Sequence, residues 1–410
     1  MTTIVDASFF NAPYQAYEKL REQGAVHWSE EFCGGAWLLT DYADVAQVLR
    51  DPGFSTRRAG GWANSAGTDA KTQLREFKKI FSRSMLFVDA PQHPRLRQVM
   101  NAGFKPALIH ALRPQITAIV EELLNNMANE ETVDFVAVFA RQLPARVIAE
   151  MLGVDKSDQF AFFSWSDDVA EFIGSPTPTL EIALRAQASL VALNQYFQDL
   201  LPERRCNPGT DLVSRLIQAE EQGLIITNKE LLAQCCTLLF AGHETTRNLL
   251  GNGLFTFLQY PDQWQRLQRT PSLMTSALRE LLRFESPVQY TGRRVKTDVQ
   301  MHGHLLRKGD LVIPLIGSAN RDPRKFQHPE RFDIGRNEGN HLSFGHGPHV
   351  CVGATLTYLE AEIAFTALMQ QMPDLHLAGT PPAWNKNAVY RSLDSLRICI
   401  PSNLQRRRAA

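Results

Sequence analysis

The chain has 410 residues, 44% of them hydrophobic and 21% charged, with Lys+Arg and Asp+Glu both at 43. That balance argues against a nucleic-acid surface, and the composition is that of an ordinary globular chain able to bury a sizeable core. The first ten residues hold Asp6 and no long apolar run, which predicts no signal peptide, no membrane anchor and a cytoplasmic location. Six cysteines, Cys33, Cys206, Cys235, Cys236, Cys351 and Cys399, follow no framework spacing and suit a reducing compartment.

No linker, low-complexity run or internal repeat divides the sequence, so one domain over residues 1–410 is expected. Residues 12–23 read as a helix, 25–28 and 36–40 as short strands around Gly34-Gly35, and 41–49 as a second helix. From 52 to 86 the pattern weakens, and Gly60, Gly61, Trp62, Ser65 and Gly67 mark a long irregular loop. In Asp89-Ala90-Pro91-Gln92-His93-Pro94-Arg95-Leu96-Arg97, the prolines suit the first turn of a helix running to about Phe104. That helix sets His93 and Arg97 one turn apart on one face, which in isolation is an ordinary surface pair. Helical periodicity continues over 109–128, 138–152, 158–172 and 180–200, broken by Gly153, Pro176, Pro178 and Pro208-Gly209.

Thr227-Asn228-Lys229-Glu230 is a capping-box pattern, and no proline follows until Pro261. About thirty helical residues at ~1.5 Å each make a rod of roughly 45 Å. Residues 231–241 are nearly all apolar, so this half is expected to be buried, while Gln234, His243, Glu244, Arg247 and Asn248 exclude a transmembrane span. Within the rod lies Ala241-Gly242-His243-Glu244-Thr245-Thr246. A helical glycine costs about 1 kcal/mol relative to alanine and a buried carboxylate costs more, so local stability does not explain the segment. A small pair would let a flat ligand approach the backbone, with Glu244 and Thr245 as a proton-relaying acid and hydroxyl beside it. The alternative is a kinked helix with a capped polar pocket. His243 reads as a packing or exposed residue.

Residues 272–284 form a further helix carrying Glu280 and Arg283 on one face. Gly292-Arg293-Arg294-Val295 leads into strands near 295–301 and 311–316, followed by Asn320-Arg321-Asp322-Pro323, Phe326 and Pro329-Glu330-Arg331-Phe332-Asp333. Phe344-Gly345-His346-Gly347-Pro348-His349-Val350-Cys351-Val352-Gly353 cannot propagate a helix or strand, yet 354–372 reads as an amphipathic helix. Cys351 therefore sits before a helix N-terminus whose unpaired N–H groups favour a thiolate, a soft metal ligand. Residues 387–396 are expected to form a hairpin whose turn reaches back to a pocket.

The spacing Phe344-x-x-Gly347-x-x-x-Cys351-x-Gly353 resembles the haem-binding loop of the cytochrome P-450 family, in which the cysteine thiolate is the axial iron ligand. The resemblance spans roughly residues 12–400 and implies a mainly α fold with small β-sheets, with haem b between a long distal helix and the Cys loop. It implies that Cys351 ligates the iron, that Phe344 packs against the loop, and that Gly345 and Gly353 leave room beside the porphyrin. The His93-x-x-x-Arg97 pair is similar to the family's propionate-binding pair. Arg293 resembles a second propionate-binding arginine, with Arg294 leaving that choice open, and His349 resembles a third contact. Ala241-Gly-x-Glu244-Thr245 is similar to the distal-helix motif, so Glu244 and Thr245 would deliver protons to dioxygen. Glu280, Arg283 and Arg331 are assigned to a buried folding lock. No Cys-x-x-Cys-His is present, so the haem would be held without covalent attachment.

The implied reaction is insertion of one dioxygen atom into a small, largely apolar organic substrate, in secondary metabolism or catabolism. Two electrons would come from a ferredoxin or flavodoxin with its reductase, docking near Cys351 where Arg95 and Lys105 offer positive charge. Met85, Leu86, Phe87, Leu238, Ala241, Val288, Val389 and Tyr390 are expected to line the substrate pocket, along with residues near Ala170 to Ile173. Ser175 to Thr179 would belong to a segment over the substrate. A non-catalytic haem-thiolate sensor would have no use for the acid–hydroxyl pair, and peroxide-using relatives usually replace it.

Overall fold

The structure, a computed structural model, describes residues 4–5, 8–58, 74–175 and 178–400. A five-stranded sheet runs in the order β1-β2-β8-β5-β3, built from β1 (Val26–Ser29), β2 (Ala36–Leu39), β3 (Phe54–Ser55), β5 (Arg293–Val295) and β8 (Leu311–Pro314). All neighbours are antiparallel except β2 and β8, which pair in parallel with Trp37 opposite Val312. Pro314 closes β8, where a residue without an N–H ends the ladder. This sheet sets Arg293 at the start of β5, beside a cavity in the helical body. Smaller sheets join β4 (Thr132–Asp134) to β10 (Arg397–Cys399) and β9 (His376–Leu377), and β6 (Val299–Met301) to β7 (His304–Leu306).

The helical body is organised by one rod, Asn228–Gln259, hereafter the long helix. Thr227 accepts a hydrogen bond from the Glu230 N–H, and the Glu230 carboxylate in turn accepts from the Ile226 N–H, so one donor of the first turn and the N–H just ahead of the cap are satisfied. The helices Gln142–Met151, Gln159–Gly174 and Leu180–Cys206 pack along the rod, and the helix Ala354–Gln371, hereafter the Cys-loop helix, packs across it. Gly253 permits that crossing: a Cβ there would lie 2.8 Å from the Phe365 ring.

Three expectations change. The helix expected over 109–128 is two, Pro106–Ala111 and Arg113–Met127, because Pro114 cannot donate to the preceding turn and opens the second helix instead. Within the stretch expected to be irregular lies a helix, Arg75–Phe81, held inward by stacked Phe77 and Phe81 rings 4.5 Å apart. Gly60, Gly61, Trp62, Ser65 and Gly67 lie outside the described residues, as do residues 176–177. Residues 387–396 form no strand ladder; single bridges, Trp384 to Leu393 and Val288 to Tyr390, bring the segment back to the cavity.

Candidate active site

The cavity, about 350 Å³, lies between the long helix and the Cys loop. Gly345 and Gly347 both take φ +74, a left-handed conformation that admits glycine without strain. At Gly347 a Cβ would also lie 2.7 Å from Arg50 Cα, so the loop runs tightly under the helix Tyr42–Arg50. The Cys351 N–H donates to the Phe344 carbonyl at 2.8 Å, closing the loop, and the Phe344 ring packs 5.3 Å from Tyr358 on the Cys-loop helix. The Cys351 side chain faces the cavity, and a Cβ on Gly353 would stand 3.8 Å from its sulfur.

The thiol is pulled both ways. Burial raises its pKa above the ordinary value, whereas the Gly353 and Ala354 N–H groups and the Arg97 charge lower it, and burial prevails. A metal cation at the sulfur would displace the proton outright.

Beside the cysteine the cavity wall is cationic. His93 is 5% exposed, its ring lies 3.7 Å from that of His349, and its Nε2 has no partner among the described residues. Arg97 donates through Nε to Asn101 at 2.9 Å and from its guanidinium to the Val350 carbonyl. Arg293 is buried and donates to its neighbour's carbonyl, Gly292 O, at 2.8 Å. Arg294, also on the lining, donates to Gly309 O at 2.8 Å and is only half-buried, whereas Arg293 is buried. Arg58, which sequence reading missed, adds a fifth group: it donates to Thr291 Oγ1 at 3.0 Å and lies over the Phe87 ring. Only an isolated Arg57-Arg58 pair marked it in the sequence.

These groups repel. Burial, then the His93 and Arg293 charges, push His349 down to about 3; burial and Arg58 push Arg293 down to about 9. The wall therefore favours an anion, and Glu244 is the only carboxylate on the lining among the described residues. A sulfur ligand, an orphaned buried imidazole and clustered cations fit a metalloporphyrin with two carboxylates.

Across the cavity, Ala241 and Thr245 face inward, and the Thr245 hydroxyl donates to the Ala241 carbonyl at 3.3 Å. Gly242 has a further reason to be small. A Cβ there would lie 3.0 Å from Ile148, so it sets the spacing between two helices as well as lining the cavity. Glu244 accepts from Arg247 and from Asn248, each at 3.2 Å. Arg247 is shared with Asp167 at 3.3 Å, and Asp167 is paired also with Arg141. Burial raises the Asp167 carboxyl to about 6 in spite of Arg247. His243 packs beside Phe163 and meets Ser166 Oγ at 3.2 Å; burial lowers it to about 4, so it is a neutral packing residue.

Met85, Leu86, Leu238, Val288, Val389 and Tyr390 line the remaining wall, as do Ile173 and Ser175. Phe87 does not. It turns into the core, with its ring 5.4 Å from Phe81, because the short 3-10 turn Met85–Phe87 directs successive side chains differently. Two further expectations fail. Arg95 is committed to Glu230 and to the Leu224 carbonyl, so it is not a free docking cation. Arg331 lends only its carbonyl to the lock; the arginine that pairs with Glu280 beside Arg283 is Arg336, at 3.1 Å.

A mainly helical body with a cysteine loop facing, across a cavity, a polar spot on a long helix defines the class of haem-thiolate proteins. Comparisons with known proteins agree. A family described as Cytochrome P450 matches residues 176–373. Cytochrome P450 CYP107DY1 of Priestia megaterium is 37% identical over 371 residues, 89% of this chain and 90% of that protein. Polyketide biosynthesis cytochrome P450 PksS of Bacillus subtilis is 36% identical over 399 residues, 96% of both. The structure of P450BioI in complex with hexadec-9Z-enoic acid ligated acyl carrier protein superposes with a TM-score of 0.89 at 32% identity, covering 96% of this chain and 99% of that one. The chain belongs to the cytochrome P450 family. It is a bacterial-type monooxygenase, its cofactor is haem b with cysteine-thiolate ligation, and its fold works with redox partners. No described helix is long and apolar enough to cross a membrane.

Proposed function

We propose that Cys351 is the iron ligand, that His93, Arg97, Arg293 and His349 hold the haem propionates, and that Glu244 and Thr245 manage protons on the opposite side. The observation carrying this reading is that all seven side chains line one cavity, with the sulfur and the acid–hydroxyl pair contributed by opposed elements. Ala241 gives the flat ligand room, Phe344 braces the loop, Gly353 keeps bulk away from the sulfur, and Gly345 leaves backbone room beside the porphyrin. When bound, haem b supplies dioxygen activation, with two electrons delivered by a partner.

The chain's own residues supply the rest. Met85, Leu86, Leu238, Val288, Val389 and Tyr390 hold a small, largely apolar substrate and exclude water around it. Glu244 carries a proton to the Thr245 hydroxyl, which passes its own into the cavity. Glu244 is recharged from the Asp167 side, because Asp167 is partly exposed and shares Arg247 with it. Arg247 thus sets how firmly the Glu244 carboxylate is held. A ferredoxin or flavodoxin fits as electron donor, with exposed Lys105 as a docking cation, and the PksS relative supports a role in biosynthetic chemistry.

The intact acid–hydroxyl pair favours this reading over a sensor or a peroxide-using enzyme. The test is the carbon monoxide spectrum of the reduced protein. A thiolate-type band is expected in the native protein and its loss in Cys351→His; a histidine-type band in the native protein, or an unchanged spectrum in the variant, overturns the assignment.

A further inference from the structure

Haem b brings two carboxylates, yet among the described residues four arginines line the cavity, Arg58, Arg97, Arg293 and Arg294, against the one carboxylate of Glu244. Glu244 is itself held by Arg247 and Asn248, and Arg294 is turned to the Gly309 carbonyl. Arg58 is fitted to its place. Its Nη2 donates to Thr291 Oγ1 at 3.0 Å, and its guanidinium carbon lies 5.0 Å from the centre of the Phe87 ring. Gly292 leaves the space for it: a Cβ there would lie 2.8 Å from Arg58 Cδ and 3.1 Å from Nε. These contacts join Arg58 to the apolar part of the wall. Phe87 belongs to the turn whose Met85 and Leu86 line the cavity, and Thr291 follows Val288 on the same lining. Tyr390, bridged to Val288, has its ring 6.1 Å from that of Phe240 on the long helix. Burial lowers the Arg58 guanidinium to about 10, so it is still a cation at neutral pH.

We propose that Arg58 anchors the carboxylate of the substrate, an organic acid with an apolar body, and that the body lies along Met85, Leu86, Val288 and Val389. This rests on the monooxygenase reading above and names the substrate class of the same site. A guanidinium fork matches a carboxylate, and in a cavity with apolar walls that charge-assisted pair selects an acid over its neutral ester. The Thr291 hydroxyl and the Phe87 face hold the fork in position, so little side-chain freedom is lost when the acid arrives. Tying down the charged end also fixes where oxidation falls, at a carbon remote from the carboxyl. The competing use of Arg58 is a further contact to a haem propionate, which would make it a residue that retains haem and leaves the choice of substrate alone.

The test uses the haem-loaded protein, first checked for its reduced carbon monoxide spectrum so that failure of the haem-thiolate reading is seen separately. Octanoic, dodecanoic and hexadecanoic acids and their methyl esters are titrated at neutral pH, and binding is followed by the shift of the Soret band. At least one acid is expected to bind roughly tenfold more tightly than its own ester in the native protein. That preference is expected to vanish in Arg58→Gln, to survive in part in Arg58→Lys, which keeps the charge without the fork, and to weaken in Thr291→Val. Transfer of haem to a scavenging protein is expected to stay near the native rate in all three. Should Arg58→Gln not fold, Arg58→Lys and Thr291→Val carry the comparison. The proposal is overturned if no acid outbinds its ester in the native protein, if the variants that fold keep the native preference, or if they lose haem roughly tenfold faster, which would make Arg58 a propionate contact.

Discussion

Two clusters of buried arginine in this molecule differ in one respect, and the difference separates architecture from binding. In the lock, Arg283 donates to both oxygens of Glu280 at 2.7 and 2.8 Å and to the carbonyls of Asn320, Pro329 and Arg331. Glu280 also accepts from Arg336 and from the Asp333 N–H. Every charge there has an opposite within the fold. At the cavity wall, Arg293 is buried beside the Arg58 charge and the neutral His349 ring, Asp89 acts on it more weakly than Arg58 does, and Glu244 across the cavity is the one carboxylate on the lining among the described residues. A buried ion pair that is complete belongs to the folded chain, whereas clustered like charge belongs with something that binds it.

The contrast is sharpest under truncation. Glu280→Ala leaves the buried Arg283 guanidinium without its carboxylate and Arg336 with Glu338 alone, and is expected to cost about 3–5 kcal/mol in urea denaturation. Arg336→Ala is expected to lose roughly 1–3 kcal/mol, and Arg331→Ala to stay within about 0.5 kcal/mol, because its contribution is a backbone carbonyl that alanine retains. Equal losses for Arg336 and Arg331 would return the lock to the assignment read from the sequence.

Arg293→Gln should behave oppositely. Haem-free protein is expected to be as stable as the parent or slightly more so, since a repelled buried charge is gone. The haem-loaded variant should lose its cofactor to a haem-scavenging protein roughly tenfold faster, the loss of one charge-assisted hydrogen bond. A fall in apoprotein stability matching that of Arg336→Ala would mean that Arg293 is a folding residue after all.

Much of this was legible before any coordinates. Cys351, the Glu244–Thr245 pair and the His93–Arg97 spacing are local patterns on short segments, and the elements around them follow from caps, prolines and periodicity. What sequence could not give is what depends on contacts between distant segments. Arg331 and Arg336 are both arginines just past Pro329, and only the turn at Asp333 to Arg336 decides which guanidinium reaches Glu280. Phe87 and Leu86 are adjacent and apolar, but a 3-10 turn sends one into the core and the other to the cavity. Arg95 looked free until Glu230, distant in sequence, came to meet it. Glu360, 1% exposed on the Cys-loop helix, carried no motif at all; its interest lies in being a carboxyl that the fold buries without an ion pair among the described residues.

That last point makes Glu360 the intermediate case between the two clusters, and its titration measures which side it belongs to. An ordinary carboxyl at 4.5 in the unfolded chain and about 8 in the native one means that the folded state holds the extra proton between these values. Stability contributed by this group is then present at low pH and lost as pH rises, by up to about 1.4 kcal/mol per unit. The buried histidines act in the reverse sense: His349 and His341 fall to about 3 and His243 to about 4, so their contribution grows as pH rises through the ordinary imidazole value of 6.5 and is complete about one unit above it. Asp167, raised to about 6, finishes titrating over the same range. These groups are common to the native protein and to Glu360→Gln, so the difference between the two isolates Glu360, and between about pH 6.5 and 8 the urea midpoint of the native protein should fall relative to that of Glu360→Gln. Parallel midpoints would show that the carboxyl is already ionised at neutral pH, which would place it with the lock.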